Sequence, residues 1–91
     1  MKKKLKSLRK QIDFVDGQII ELLAKRFSIV QEIGAIKKSS SKKPLDKKRW
    51  EKLISNRLKL AKGFNLDKNF VQDVWKRIHR QSLIIESDHE K

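Results

Sequence analysis

Ten residues of the N-terminal segment fall on a single stripe. Leu5, Leu8, Ile12, Val15, Ile19, Leu22, Arg26, Ile29, Ile33 and Ile36 are separated by alternating steps of three and four. A sustained heptad pattern is the mark of a helix packed along its whole length against other helices. At 1.5 Å per residue, a helix over about 5–38 is roughly 50 Å long. A compact domain of this size is roughly 25 Å across. One chain of 91 residues cannot cover such a helix. A second copy, with the two long helices paired, is the simple solution. The pattern predicts an all-α chain with a long first helix, forming an intertwined helical homodimer.

Two further helices follow. The stretch Lys38-Ser39-Ser40-Ser41-Lys42-Lys43-Pro44 is a polar loop ended by proline. Asp46 offers an N-cap for a second helix running to about Lys62, with Trp50, Leu53, Ile54, Leu58 and Ala61 as its apolar positions. Gly63 suits the C′ position beyond it. Asp67 is the next N-cap, and Leu66 and Val71 around it have the spacing of a hydrophobic staple. The third helix carries Phe70, Val74, Ile78 and Ile85 on its stripe and ends near Glu86. The tail 87–91 is polar. The whole reads as one domain over 1–91, with its core at about 5–86.

A chain this short buries a modest core by itself, and an added stabiliser is expected. There is no cysteine for a disulfide, and His79 and His89 stand alone, so no metal site is indicated. Oligomerisation remains. The net charge of +13 favours anionic partners. Its 24 basic residues are 18 lysines and 6 arginines. Lysine is the usual solvated charge, whereas arginine suits a fixed grip on carboxylate or phosphate, so the arginines are the informative residues. No apolar stretch follows the basic N-terminus as in a secretory signal, and no run approaches membrane-spanning length. A cytoplasmic protein is the expectation.

Polar residues that interrupt apolar stripes carry the functional signal. Arg26 occupies a core heptad position between Leu22 and Ile29. A buried arginine is costly unless paired. Arg26 either pairs with a carboxylate across the dimer, snorkels to water, or lines a cavity that receives an anion. Lys37, about three turns on, projects from nearly the same face, or is a solvated lysine suited to a helix C-terminus. Arg9 lies roughly 25 Å back along the same helix. It is an ordinary surface arginine, or it serves the same site from the partner chain. On the third helix, Ser82 and Glu86 fall on or beside the stripe at steps of four from Ile78. Ser82 reads as a hydroxyl bonded to its own i−4 carbonyl or as a site group, and Glu86 as a surface charge or a site group. The two histidines read as surface residues, with His79 one step off the stripe. No nucleophile–base pair, hydrolytic carboxylate pair or metal set is formed. Any chemistry here needs only charge placement and confinement.

The segment Leu8-Arg9-Lys10-Gln11-Ile12-Asp13-Phe14-Val15-Asp16 resembles the opening of the all-helical type II (AroQ) chorismate mutases. The likeness continues through Ile19-Ile20-Glu21-Leu22-Leu23-Ala24-Lys25-Arg26, then Glu32-Ile33-Gly34-Ala35-Ile36-Lys37, then Pro44-Leu45-Asp46-Lys47-Lys48-Arg49. Leu66-Asp67, Ser82 and Glu86 complete it. Each motif is weak alone, and their order and spacing are fairly specific. The resemblance implies three helices per chain, two chains entwined through their first helices, and conversion of chorismate to prephenate in aromatic amino-acid biosynthesis. No cofactor and no metal are called for. The partners implied are a dianionic small molecule and a second copy of the chain, not nucleic acid or membrane.

By the same resemblance, Arg9 of one chain and Arg26 of the other grip the substrate carboxylates. Lys37 bonds the ether oxygen and a carboxylate, and Asp46 helps to hold the ring hydroxyl. Arg49 supports the pocket wall, Ser82 bonds a carboxylate, and Glu86 is the second donor to the ether oxygen. Two positions depart from the family pattern. Trp50 stands where a glutamate usually follows the arginine of the second helix, and Glu86 stands where many members carry glutamine. Trp50 keeps open a related reaction on the same fold, pyruvate elimination from isochorismate, or an amino analogue of chorismate as substrate. A non-catalytic basic dimer that binds nucleic acid or protein is the reading of another class. It leaves Arg26 unexplained, and no aromatics are interleaved with the lysine runs for base stacking.

Overall fold

The computed structural model describes residues 1–39 and 47–87. They form three helices: α1 (Lys2–Ser39), α2 (Lys47–Gly63) and α3 (Lys68–Ser87). The heptad segment is one uninterrupted helix of 38 residues, about three residues longer at its start than the stripe alone indicates. Its length of about 57 Å accounts for the 58 Å long axis of a molecule only 25 × 15 Å in the other directions. Asp46, the expected cap of α2, lies outside the described residues.

The connection from α2 to α3 is built by local hydrogen bonds. The Leu66 amide donates to the Ala61 carbonyl at 2.9 Å, and the Asn65 amide donates to the Lys62 carbonyl at 3.1 Å. These two bonds make a Schellman motif. Its left-handed residue is Asn65, with φ of 56°, and not Gly63, which is the last residue of α2. Asparagine tolerates this conformation because its short polar side chain bonds locally. Asp67 then caps α3 as its position indicates: its Oδ2 accepts from the Phe70 amide at 2.9 Å, and its carbonyl from the Val71 amide at 3.0 Å. Leu66 and Val71 line one small apolar hollow with Ala61 and Trp75 beneath this turn.

α3 is the element that holds the chain together, because α1 and α2 each pack against it. The buried apolar residues are Val30 of α1, Leu53 and Ala61 of α2, and Val71 of α3. Two polar residues, Ser82 and Glu86, are buried with them. The buried line of α3 therefore runs through Val71, Ser82 and Glu86. Phe70, expected on the core stripe, is 61% exposed.

Most of the α1 stripe has no cover in a single chain. Leu5, Leu8, Ile12, Val15, Ile19 and Leu22 are all exposed. The accessible surface is 8111 Å², against about 5,500 Å² for a compact monomer of this mass. The radius of gyration is 16.9 Å, against about 12 Å for a compact chain of this length. The long first helix and the three-helix architecture are thus as the sequence indicates, and the molecule is extended.

Candidate active site

Beside the C-terminal half of α1, residues of all three helices line an open cavity of about 260 Å³. Its apolar wall is Val30, Ile33 and Leu53. Its polar lining is Arg26 and Lys37 from α1, Arg49 from α2, and His79, Ser82 and Glu86 from α3. Helical spacing explains the convergence. Ser82 follows His79 by three residues and Glu86 follows Ser82 by four, so α3 presents them on one face. Arg26, Ile33 and Lys37 do the same on α1, at steps of seven and four.

The polar groups are ordered by two contacts between α1 and α3. Arg26 Nη1 donates to Ser82 Oγ at 2.7 Å. The Ser82 hydroxyl in turn donates to the Ile78 carbonyl, one turn back, at 2.9 Å. The local helix bond and the cross-helix role are therefore both present at Ser82. One turn further on, Lys37 Nζ pairs with Glu86 Oε1 at 3.0 Å. Burial first, and then the nearby Arg57 and Arg49, lower the pKa of Arg26. An anion is the natural relief for such a crowd of cations.

His79 is the residue that sequence reading placed on the surface and the structure places in the site. It lines the cavity, and its ring stacks on the Trp50 indole with centroids 4.5 Å apart and planes at 26°. Its Nε2 is buried and has no hydrogen-bond partner among the described residues. Burial, then Arg26, lowers the imidazole's pKa. Glu86 pulls it upward, and Arg49 and Lys37 push it further down. The ring is therefore neutral at neutral pH. The signal was available, because His79 shares the helical face of Ser82 and Glu86.

Of the other expected site residues, Arg49 is in the lining, and Trp50 reaches the cavity only through His79. Arg9 is exposed on the first turns of α1, and it does not line the cavity. Asp46 lies outside the described residues. No group of three His, Cys, Asp or Glu side chains that could hold a metal gathers among the described residues. No helix there is long and apolar enough to cross a membrane.

Among the described residues, three cationic side chains and one carboxylate line the cavity. The fold and site together define an all-helical protein with a small pocket rich in cationic side chains. The chain belongs to the chorismate mutase type II family, which it matches over residues 8–87. That family isomerises chorismate to prephenate. The chain is 37% identical over 70 residues to a chorismate mutase of Methanocaldococcus jannaschii, covering 76% of this chain and 70% of that one. It is 33% identical over 84 residues to a T-protein of Enterobacter agglomerans, and 29% over 83 residues to a T-protein of Haemophilus influenzae. Those matches take in 92% and 91% of this chain, and the chain spans 22% of each T-protein.

Proposed function

We propose that this chain rearranges chorismate to prephenate, in sites completed by a second copy of itself. The observation that carries the reading is the pair of cross-helix contacts, Arg26 to Ser82 and Lys37 to Glu86, on the wall of one cavity. Family membership and the related chorismate mutase supply the reaction.

The chemistry follows from the groups present. Chorismate is a flexible dianion whose reacting ends must be folded together before a carbon–carbon bond can form and the ether carbon–oxygen bond can break. Charge-assisted bonds to both carboxylates select that conformer. Arg26, with Ser82 behind it, holds one carboxylate. Arg9 from a second copy holds the other, since α1 carries Arg9 too far from Arg26 to meet it within one chain. Lys37 donates to the ether oxygen, where negative charge grows as the bond breaks. A donor fixed there stabilises the transition state more than the ground state. Glu86 is the second donor and must carry a proton to act as one. Arg49 holds the wall, and Asp46 helps to hold the ring hydroxyl.

The second copy is supported by the uncovered stripe of α1. Six large apolar residues from Leu5 to Leu22 are each about half exposed or more. Contiguous apolar surface of that extent marks an interaction site, and the heptad repeat suits a helix of the same kind.

The test is to offer chorismate, isochorismate and an amino analogue of chorismate separately and to identify the products. Prephenate from chorismate at an enzymic rate supports the proposal. Pyruvate from isochorismate, with chorismate untouched, overturns it in favour of the lyase.

A further inference from the structure

We propose that Trp50 and His79 are a pair of positioning residues. Stacked between α2 and α3, they clasp the first turn of α2 so that Arg49 is held at the cavity. The inference rests on the reading of the pocket as a chorismate site, and it adds two residues that act through a third.

Three observations carry it. The first is how α2 is held. Among the described residues, α2 packs against α3 and not against α1. Its buried residues, Leu53 and Ala61, lie beyond its first turn, and Lys47, Lys48 and Arg49 are exposed. Trp50 is the first residue of α2 to be partly withdrawn from solvent. The second is the contact made there. The Trp50 indole stacks on the His79 ring of α3, with centroids 4.5 Å apart and planes at 26°. Such aromatic pairs are favourable beyond the area they bury. The third is adjacency. Arg49 directly precedes Trp50 and lines the cavity, as does Leu53 one turn on. A contact that fixes Trp50 therefore fixes the backbone that carries Arg49.

Charge shows why the hold matters. Arg26 and Lys37 of α1 line the same cavity as Arg49. Arg49 is one of the two arginines whose charge lowers the pKa of Arg26. Like charges push the first turn of α2 away from α1. A ring pair opposes that push without adding a charge of its own. His79 suits the part, because burial first, and then Arg26, favour its neutral form. Its Nε2 is buried and has no partner among the described residues, so what the ring offers is its face.

The test is a double-mutant cycle on the rearrangement of chorismate, with Trp50→Ala, Arg49→Ala and the two combined. Trp50→Ala should raise KM by about tenfold, the loss of one guanidinium grip on an anion, with kcat little changed. A variant that is merely less folded would lower kcat at the same KM. Adding Trp50→Ala to Arg49→Ala should raise KM no further. His79→Ala should match Trp50→Ala, and Trp50→Phe and His79→Phe, which keep a flat ring, should stay close to wild type. An unchanged KM in Trp50→Ala, or KM increases that multiply in the double variant, overturns the proposal. If the alanine variants do not fold, Trp50→Leu and His79→Leu, which fill the space without a ring to stack, are held to the same outcomes. The clasp is also read without substrate. Nitrogen relaxation of the Arg49 side-chain Nε–H should report greater mobility in Trp50→Leu than in wild type. Equal mobility overturns the clasp whatever the protein does with chorismate. Failure of wild type to convert chorismate is a separate result, which removes the mutase reading itself.

Discussion

The two halves of α1 carry one continuous heptad pattern and differ in what packs beside it. From Arg26 onward, the helix packs on α3, buries Val30, which lies off the stripe, at 7% exposure, and gives Arg26, Ile33 and Lys37 to the cavity, although Ile29 and Ile36 stay exposed. Before Leu23, nothing on the helix is buried, with Ile12 at 58% and Leu22 at 64% exposure. Sequence periodicity therefore states that a helix face will be covered, and not by which chain. The second half gives Arg26 and Lys37 to the cavity. The first half holds Arg9, which the proposed dimer brings to the site, and its exposed stripe is what that dimer has to bury.

The sharpest test of this contrast substitutes one arginine in each half. Arg26→Ala should lower kcat/KM by about 10² to 10³, the usual loss of a fixed charged donor, with helix content unchanged by circular dichroism. Arg9→Ala should lose a comparable factor although it is remote from the cavity along the helix. Mixing the two inactive variants should restore part of the activity through hybrid dimers with one intact site. No recovery after demonstrated subunit exchange would mean that the two halves do not meet across an interface.

A second pair separates association from folding. Ile12→Glu places a charge on the uncovered stripe and should weaken dimerisation by well over tenfold, as for a central interface residue, measured by sedimentation across a dilution series. Leu53→Ala, on the buried face of α2 at 3% exposure, should lower unfolding stability by about 2 to 5 kcal/mol through the cavity it leaves. If Ile12→Glu remains dimeric, the uncovered stripe is not the interface.

Smaller effects are confined to the cavity. Glu86 is ion-paired with Lys37, and in that form it cannot donate a proton to an oxygen. Glu86→Gln, whose amide is a permanent donor, should hold or raise turnover, and Glu86→Ala should lower it. Equal turnover by the two variants would remove Glu86 from the reacting oxygen. The least of the four concerns His79. Its pKa is held below the ordinary value of about 6.5 by burial and by Arg26. The unfolded chain then takes up the proton first as pH falls. The stability from keeping this imidazole neutral is present above the unfolded value and is lost as pH falls toward the lower folded one. Thermal unfolding of wild type should show an acid decline through that window, and His79→Phe should show less of it.

The long helix was legible because ten residues agreed on one period. Asp67 was legible because a cap needs only one carboxylate at one position. The end of α2 was not: glycine is the commonest left-handed residue, yet Asn65 takes that conformation two residues later, where the Leu66 and Asn65 amides close the turn. On α3, a stripe of apolar residues led to Phe70, because hydrophobicity is blind to a face whose buried members are Ser82 and Glu86. Arg26 was conspicuous as the one charge in a row of aliphatic residues. His79 had no such contrast, and only its spacing from Ser82 and Glu86 gave it away.

Ser82 has a consequence that is a matter of hydrogen inventory. A serine hydroxyl owns a single hydrogen, and here that hydrogen is committed to the carbonyl of Ile78 while a lone pair takes the Arg26 guanidinium. Toward the cavity the oxygen is thus purely a receiver. To give a hydrogen to a carboxylate it must swing about its carbon–oxygen bond and release the carbonyl one turn back. Alanine at this position removes both bonds at once, whereas threonine retains the hydroxyl but must fit a methyl group at a position that is 6% exposed.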